Sequence, residues 1–303
     1  MRHSEFEERE YEAPLYVQLQ HGITNVWSPG QVLEAHVGFD YACLTSHPRF
    51  WMLQGFSSPP SGVLLGAFPL HHWWNSRSSS RPLPDFSLNL FIQAKRPLVG
   101  SRATKSLKSY GINARYWKFV ISPDQQLVLE SLAKSTSSSA LVCYACAAFD
   151  RVTELWAHSR GGTIIEASTF PTAASLRGHN AWYYNSPGCS GVANPRLERI
   201  VDLSLVERVS RFTSQRPEAQ SAQASFESNL KALAAAVYES LRADAIGNTA
   251  RSAVYFEALR DIDNYMDFVR PPRHAGAVRD FLAVAMFASV FGLGWHALAQ
   301  GDA

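Results

Sequence analysis

Gln93 and Lys95 stand two residues apart at the end of the apolar run Asn89-Leu90-Phe91-Ile92-Gln93-Ala94-Lys95, just before Arg96-Pro97. In a strand the side chains alternate between faces, so the amide and the ammonium project to one side while Ile92 and Ala94 project to the other. Pro97 cannot donate to a ladder and suits a strand end, which puts Lys95 at an edge or cleft rather than in mid-core. Upstream, Asp40 interrupts a second apolar run, Val37 to Leu44, where an unpaired carboxylate is costly to bury. Glu34 precedes Asp40 by six residues and can reach the same site from a helix or turn. Carboxylates, an amide oxygen and a lysine suit a hard divalent cation and a phosphoryl group: oxygen ligands for the first, positive charge for the second.

With a helix and a buried strand following, Glu34, Gly38-Phe39-Asp40 and Phe91-Ile92-Gln93-Ala94-Lys95 resemble the core of the PD-(D/E)xK restriction-endonuclease-like superfamily. The resemblance covers roughly residues 30 to 150 and departs from the pattern in two places. Gln93 stands where a carboxylate is usual, and about fifty residues separate it from Asp40. It implies an α/β (α+β) fold with a mixed central sheet flanked by helices, and a metal-dependent endonuclease. In that reading Glu34, Asp40 and Gln93 hold Mg²⁺ or Mn²⁺, Lys95 orients the attacking water and neutralises transition-state charge, and all four are catalytic. Nucleic acid is the implied partner, DNA before RNA, and antiphage defence is a role common in the superfamily. The alternative is a non-catalytic nucleic-acid-binding or scaffold subunit that keeps the fold.

The formal net charge of +2 conceals an uneven distribution. Glu5, Glu7, Glu8, Glu10 and Glu12 crowd the N-terminal segment, whereas Lys95, Arg96, Arg102, Lys105, Lys108, Arg115 and Lys118 follow one another with no acid between them. Arg96, Arg102, Lys105 and Lys108 are therefore candidate phosphate contacts, set against the plainer reading of a solvated face. His179, in Gly178-His179-Asn180 beside Trp182 and Tyr183, is a further nucleic-acid candidate, against a histidine hydrogen-bonded within an aromatic loop.

The elements that must position these residues are read from periodicity and turn chemistry. Residues 1 to 13 read as a solvated acidic tail or frayed helix start, and 47–84 as an insertion rich in Ser, Pro and Trp with up to two strands. A strand is predicted over Tyr116 to Ile121, then a helix opened by Ser122-Pro123-Asp124 with an apolar stripe Leu127, Val128 and Leu132, then a buried strand from Ala140 to Phe149. A helical pattern after Asp150 stops at Gly161-Gly162, and the stretch from Ser168 to Pro195 reads as aromatic loop. From Leu203 the pattern is helical, dividing the chain into a nuclease-like domain over 1–200 and a helical accessory or oligomerisation domain over 201–303. The helical part is the expected contact for a homo-oligomer or partner protein.

Phe281 to Ala299 carries no acidic or basic residue besides His296, yet Ser289, Gly292 and Gly294 argue for a buried terminal helix and no membrane span. The start has no basic or apolar leader pattern, so a reducing, cytoplasmic compartment is expected, with four thiols. Cys143-x-x-Cys146 lies inside the predicted buried strand and reads as structural, with no second pair to complete a zinc site.

Overall fold

The structure, a computed structural model, describes residues 1–22, 26–27, 86–136, 139–188, 190–214, 222–242, 250–268 and 275–299. Glu34, the Asp40 strand and the 47–84 insertion lie outside the described residues. Within them the fold is mixed α and β, with eight helices and two sheets.

The run containing Gln93 and Lys95 forms β3 (Phe86–Lys95). Four other strands share its sheet: β2 (Val26–Trp27), β6 (Ala140–Ala147), β7 (Ser168–Thr169) and β11 (Gly294–Ala299), in the order β2-β11-β3-β6-β7. β3 runs parallel to β6 from Asn89↔Ala140 to Lys95↔Cys146, and antiparallel to β11 from Gly294↔Ile92 to the other end. The parallel step demands a crossover, and α3 (Pro123–Ser135) lies within it. Phe91 and Trp295 pack on one face of the sheet; Leu90, Ile92 and Ala94 pack on the other. Asn89 is a buried polar residue in this sheet with every group engaged. Its Oδ1 accepts from Trp295 Nε1 at 3.1 Å, and its Nδ2 donates to Ser139 O at 3.1 Å and Asn229 Oδ1 at 3.3 Å.

The second sheet is antiparallel throughout, in the order β1-β4-β5-β8-β9-β10. Its strands are β1 (Arg2–His3), β4 (Leu98–Gly100), β5 (Tyr116–Val120), β8 (Ala181–Tyr184), β9 (Ser190–Asn194) and β10 (Glu198–Val201). The predicted strand at Tyr116 thus forms, but outside the β3 sheet. The stretch expected to be loop supplies two strands to this sheet and β7 to the other, and Ala181-Trp-Tyr-Tyr184 buries Trp182 and Tyr184 completely. One apolar core takes the inner face of this sheet, one face of the β3 sheet, α3, and the helices α6 (Ala222–Arg242), α7 (Ala250–Phe268) and α8 (Ala275–Phe291).

A second core covers the opposite face of the β3 sheet, and α1 (Glu8–Gly22), α4 (Val152–Gly161) and α5 (Leu205–Ser214) supply it. Here the acidic start departs from a solvated tail. Phe6, Tyr11, Leu15 and Leu19 are fully buried, the last three at the four-residue spacing of one helix face. Tyr11 donates its hydroxyl to Ser168 Oγ at 2.8 Å, and Gln18 Oε1 accepts the Ile165 N–H at 3.0 Å. α4 ends as predicted, on Gly162 at φ 60.

Two further readings change. Leu127 is 41% exposed, and α3 instead buries Gln125, Gln126, Val128, Leu129 and Leu132. The Phe281–Ala299 segment is not one helix: α8 ends at Phe291, Gly292 takes φ 66, and the chain continues as β11. No helix among the described residues is long and apolar enough to cross a membrane.

His296 sits in β11, fully enclosed, its ring 4.9 Å from that of Tyr16 and neither nitrogen hydrogen-bonded among the described residues. Desolvation lowers its pKa from 6.5 to about 4. The unfolded chain therefore binds this proton more readily, and stability present above pH 6.5 is lost as the pH falls toward 4. Urea unfolding at pH 7 and pH 4 is expected to show about 3 kcal/mol of this loss in the wild type. His296→Phe should remove that part of the difference.

Candidate functional site

β3 ends in two polar residues on the face that carries Phe91, as alternation requires. Lys95 Nζ donates to Gln125 Oε1 at 2.6 Å; Gln125 Nε2 donates to Gln93 Oε1 and, at 3.0 Å, to the Phe291 carbonyl. Gln93, 2% exposed, donates its own Nε2 to Ala94 O at 3.0 Å. Gln125 is buried in the first turn of α3, so the helix opened by Ser122-Pro123 aims it at the strand end. It holds Lys95 and Gln93 at once and ties both to the last turn of α8. Tyr144 of β6 lies beneath the ammonium, 5.8 Å from ring centroid to Nζ.

Two carboxylates complete this cluster, and neither belongs to the predicted set. Glu8 and Glu12 share a face of α1 by their four-residue spacing. Burial raises the Glu8 pKa, countered by the Lys95 charge and by the Arg96 main-chain N–H that its carboxylate accepts. Burial, then repulsion from Glu8, raises that of Glu12 to about 7. Burial also lowers the Lys95 pKa, with Glu8 opposing that shift and Arg251 adding to it. Half-buried acids within electrostatic reach of a half-buried lysine, all displaced from their ordinary values, are typical of sites that move protons or bind charge. The visible sequence signal was the pair of glutamates at helical spacing; Pro14 four residues into the apolar stripe obscured it.

The predicted site residues fare differently. Glu34 and Asp40 fall outside the described residues. Arg96 donates to Glu7 Oε1 at 2.7 Å and to Ser4 O at 2.7 Å, which fixes the N-terminal segment against the end of β3. Arg102, Lys105 and Lys108 are exposed on the connection between β4 and β5, which contains α2 (Lys105–Ser109). The His179 ring is buried, with Nε2 3.6 Å from Glu198 Oε2. Cys143 and Cys146 pack into opposite cores from opposite faces of β6, so they cannot clasp one ion, and burial pushes the Cys146 thiol up to about 12.

Among the described residues no group of three or more His, Cys, Asp and Glu is placed to hold a metal ion. The oxygen donors within electrostatic reach of Lys95 are the Glu8 and Glu12 carboxylates, whereas the Gln93 amide oxygen is engaged by Gln125. An all-oxygen set with one or two carboxylates suits Mg²⁺, which keeps several waters and shares substrate phosphates. A divalent cation there would offset the repulsion that raises Glu12. No family model, curated protein or solved structure matches the chain.

The raised Glu12 pKa carries a cost that depends on pH. Its folded value lies above the ordinary 4.5, so the stability it contributes is present below pH 4.5 and lost as the pH rises through 7. Thermal melts in metal-free buffer are expected to show Glu12→Gln melting above the wild type at pH 8. The two should converge at pH 4.

Proposed function

We propose that the chain is a metal-dependent nuclease, a hydrolase of phosphodiester bonds, centred on the end of β3. The observation that carries this reading is the Lys95 ammonium, half-buried, held by Gln125 and within electrostatic reach of the Glu8 and Glu12 carboxylates, whose pKa is raised. Lys95 supplies positive charge at fixed position where a phosphorane develops negative charge, and a low-dielectric setting strengthens that interaction.

A Mg²⁺ or Mn²⁺ ion held by Glu8 and Glu12, with Asp40 and Glu34 as the resemblance implies, would supply Lewis-acid charge to the phosphate. Arg102, Lys105 and Lys108 are the proposed backbone contacts, on DNA before RNA. A second reading, a non-catalytic binding or scaffold subunit, draws support from Gln93: it replaces the usual carboxylate, and Gln125 engages its oxygen.

The test is incubation of purified protein with supercoiled plasmid and with a structured RNA, in Mg²⁺ or Mn²⁺ against EDTA, beside Lys95→Ala. Metal-dependent cleavage is expected, reduced at least about 100-fold in the variant with unchanged melting. Gln125→Leu should lose activity in the same direction by a smaller factor, since the lysine remains but is no longer held. A wild type that cleaves neither substrate, or a Lys95→Ala protein that cleaves at the wild-type rate, overturns the reading.

A further inference from the structure

Two separate stretches, 97–123 and 167–197, contain no aspartate or glutamate. The fold brings them together: the first supplies β4 and β5, the second β8 and β9, and the four are consecutive neighbours in the antiparallel sheet. We propose that the outer face of this sheet, with the α2 connection lying on it, binds the phosphate backbone of nucleic acid without reading the bases. The proposal extends the nuclease reading by naming how substrate is held, and it stands or falls by binding alone.

The face is defined by register. His3, Leu98, Lys118, Tyr183, Val192 and Arg199 stand opposite one another across all six strands, one residue from each, and residues directly opposite share a face. The reverse face carries Trp182, Tyr184, Ala193 and Ile200 into the large core. α2 packs on the outer face through Leu107, which joins Ile112, Tyr116 and Val192 in a small apolar cluster. That leaves Lys105 and Lys108 outward, beside Arg102.

Charge decides the occupant. Arg102, Lys105, Lys108, Arg196 and Arg199 are exposed, and none has an ion-pair partner among the described residues. The basic side chains of these segments that do serve the fold are elsewhere engaged: Arg115 on buried Asp150, and Arg177 on Glu130 at 3.4 Å. Glu198 begins β10 but alternates with Arg199, so it points to the other face, where it meets His179. An acid-free sheet face with unpaired cations suits a polyanion.

The two tyrosine rings that the strands themselves place on this face, Tyr183 and Tyr116, are already occupied. The Lys118 ammonium lies 5.2 Å over the Tyr183 ring, and the Tyr116 ring is 6.0 Å from it. Tyr116 itself lies flat on Gly100, where a Cβ would come within 2.3 Å of the ring. Neither ring is open as a stacking platform, which is how single strands are usually held. Binding through charge alone is steeply salt-dependent and indifferent to sequence.

Fluorescence anisotropy with a labelled duplex of mixed sequence, in EDTA across a sodium chloride series, tests this. The wild type is expected to lose affinity linearly in log Kd against log salt. The variant R102Q/K105Q/K108Q should reduce that slope by about 3 and R196Q/R199Q by about 2, at roughly 0.9 per phosphate contact. Wild-type slopes in both multiple variants, or binding to phosphatidylserine vesicles in place of the duplex, overturn the proposal. Salt-dependent binding without cleavage in Mg²⁺ would uphold this surface and remove the nuclease reading.

Discussion

The ammonium of Lys95 has to remain beside a dry core, and most of the cluster around it answers that requirement. β3 is covered on both faces, and its last residues, Gln93 to Lys95, pair with β6, so they cannot turn to water without unmaking that edge of the sheet. Gln125 supplies a neutral acceptor, Glu8 and Glu12 supply compensating charge, and Tyr144 supplies a ring face. None of these alone would hold a desolvated lysine, and each comes from a different element. The two carboxylates repel one another, so the cluster is stable as an assembly while its individual acids are not at ease. Such tension is common where a protein keeps charge for use rather than for stability.

Asp150 shows the contrasting solution to the same problem. It is fully buried, and Arg2 from β1 reaches it at 2.6 Å while Arg115 from the β4–β5 connection meets its other oxygen. Glu154 Oε2 accepts from the Asp150 N–H, and the Asp150 carbonyl accepts from Glu5 N–H at 2.8 Å. Every polar group of that aspartate is satisfied, so it serves as a joint between the two sheets. Charge burial at Asp150 is closed and at Lys95 is open.

Much of the local structure was legible in the chain, because it depends on near neighbours. The alternation ending in Gln93 and Lys95, the Ser122-Pro123 helix start and the Gly161-Gly162 stop each rest on interactions within a few residues, and each appears in the structure. What was not legible depends on distant pairing. Nothing near Gly294 states that it will join β3, which lies about two hundred residues away, and its apolar composition serves a helix or a strand equally. Docking of α1 was hidden for another reason: its exposed face is so acidic that the stripe Tyr11, Leu15 and Leu19 reads as incidental, and Pro14 breaks the helical pattern at its centre. Glu8, Glu12 and Gln125 were missed as site residues on the same account. They reach Lys95 only after α1 and α3 have docked, while Glu34 and Asp40 rest on resemblance.

The pairing of β11 with β3 also sets the order in which the molecule can be made. Phe291 offers its carbonyl to Gln125, and residues 294–299 form one edge of the strand that carries Lys95. A ribosome releases those residues long after β3, α3 and the basic connection have emerged. Until then Gln125 lacks one of its anchors and β3 has an open edge, so a nascent or truncated chain would present cationic surface without an assembled centre. On the proposed nuclease reading, the centre would thus stay unassembled, and translation unharmed, until residues 294–299 are in place.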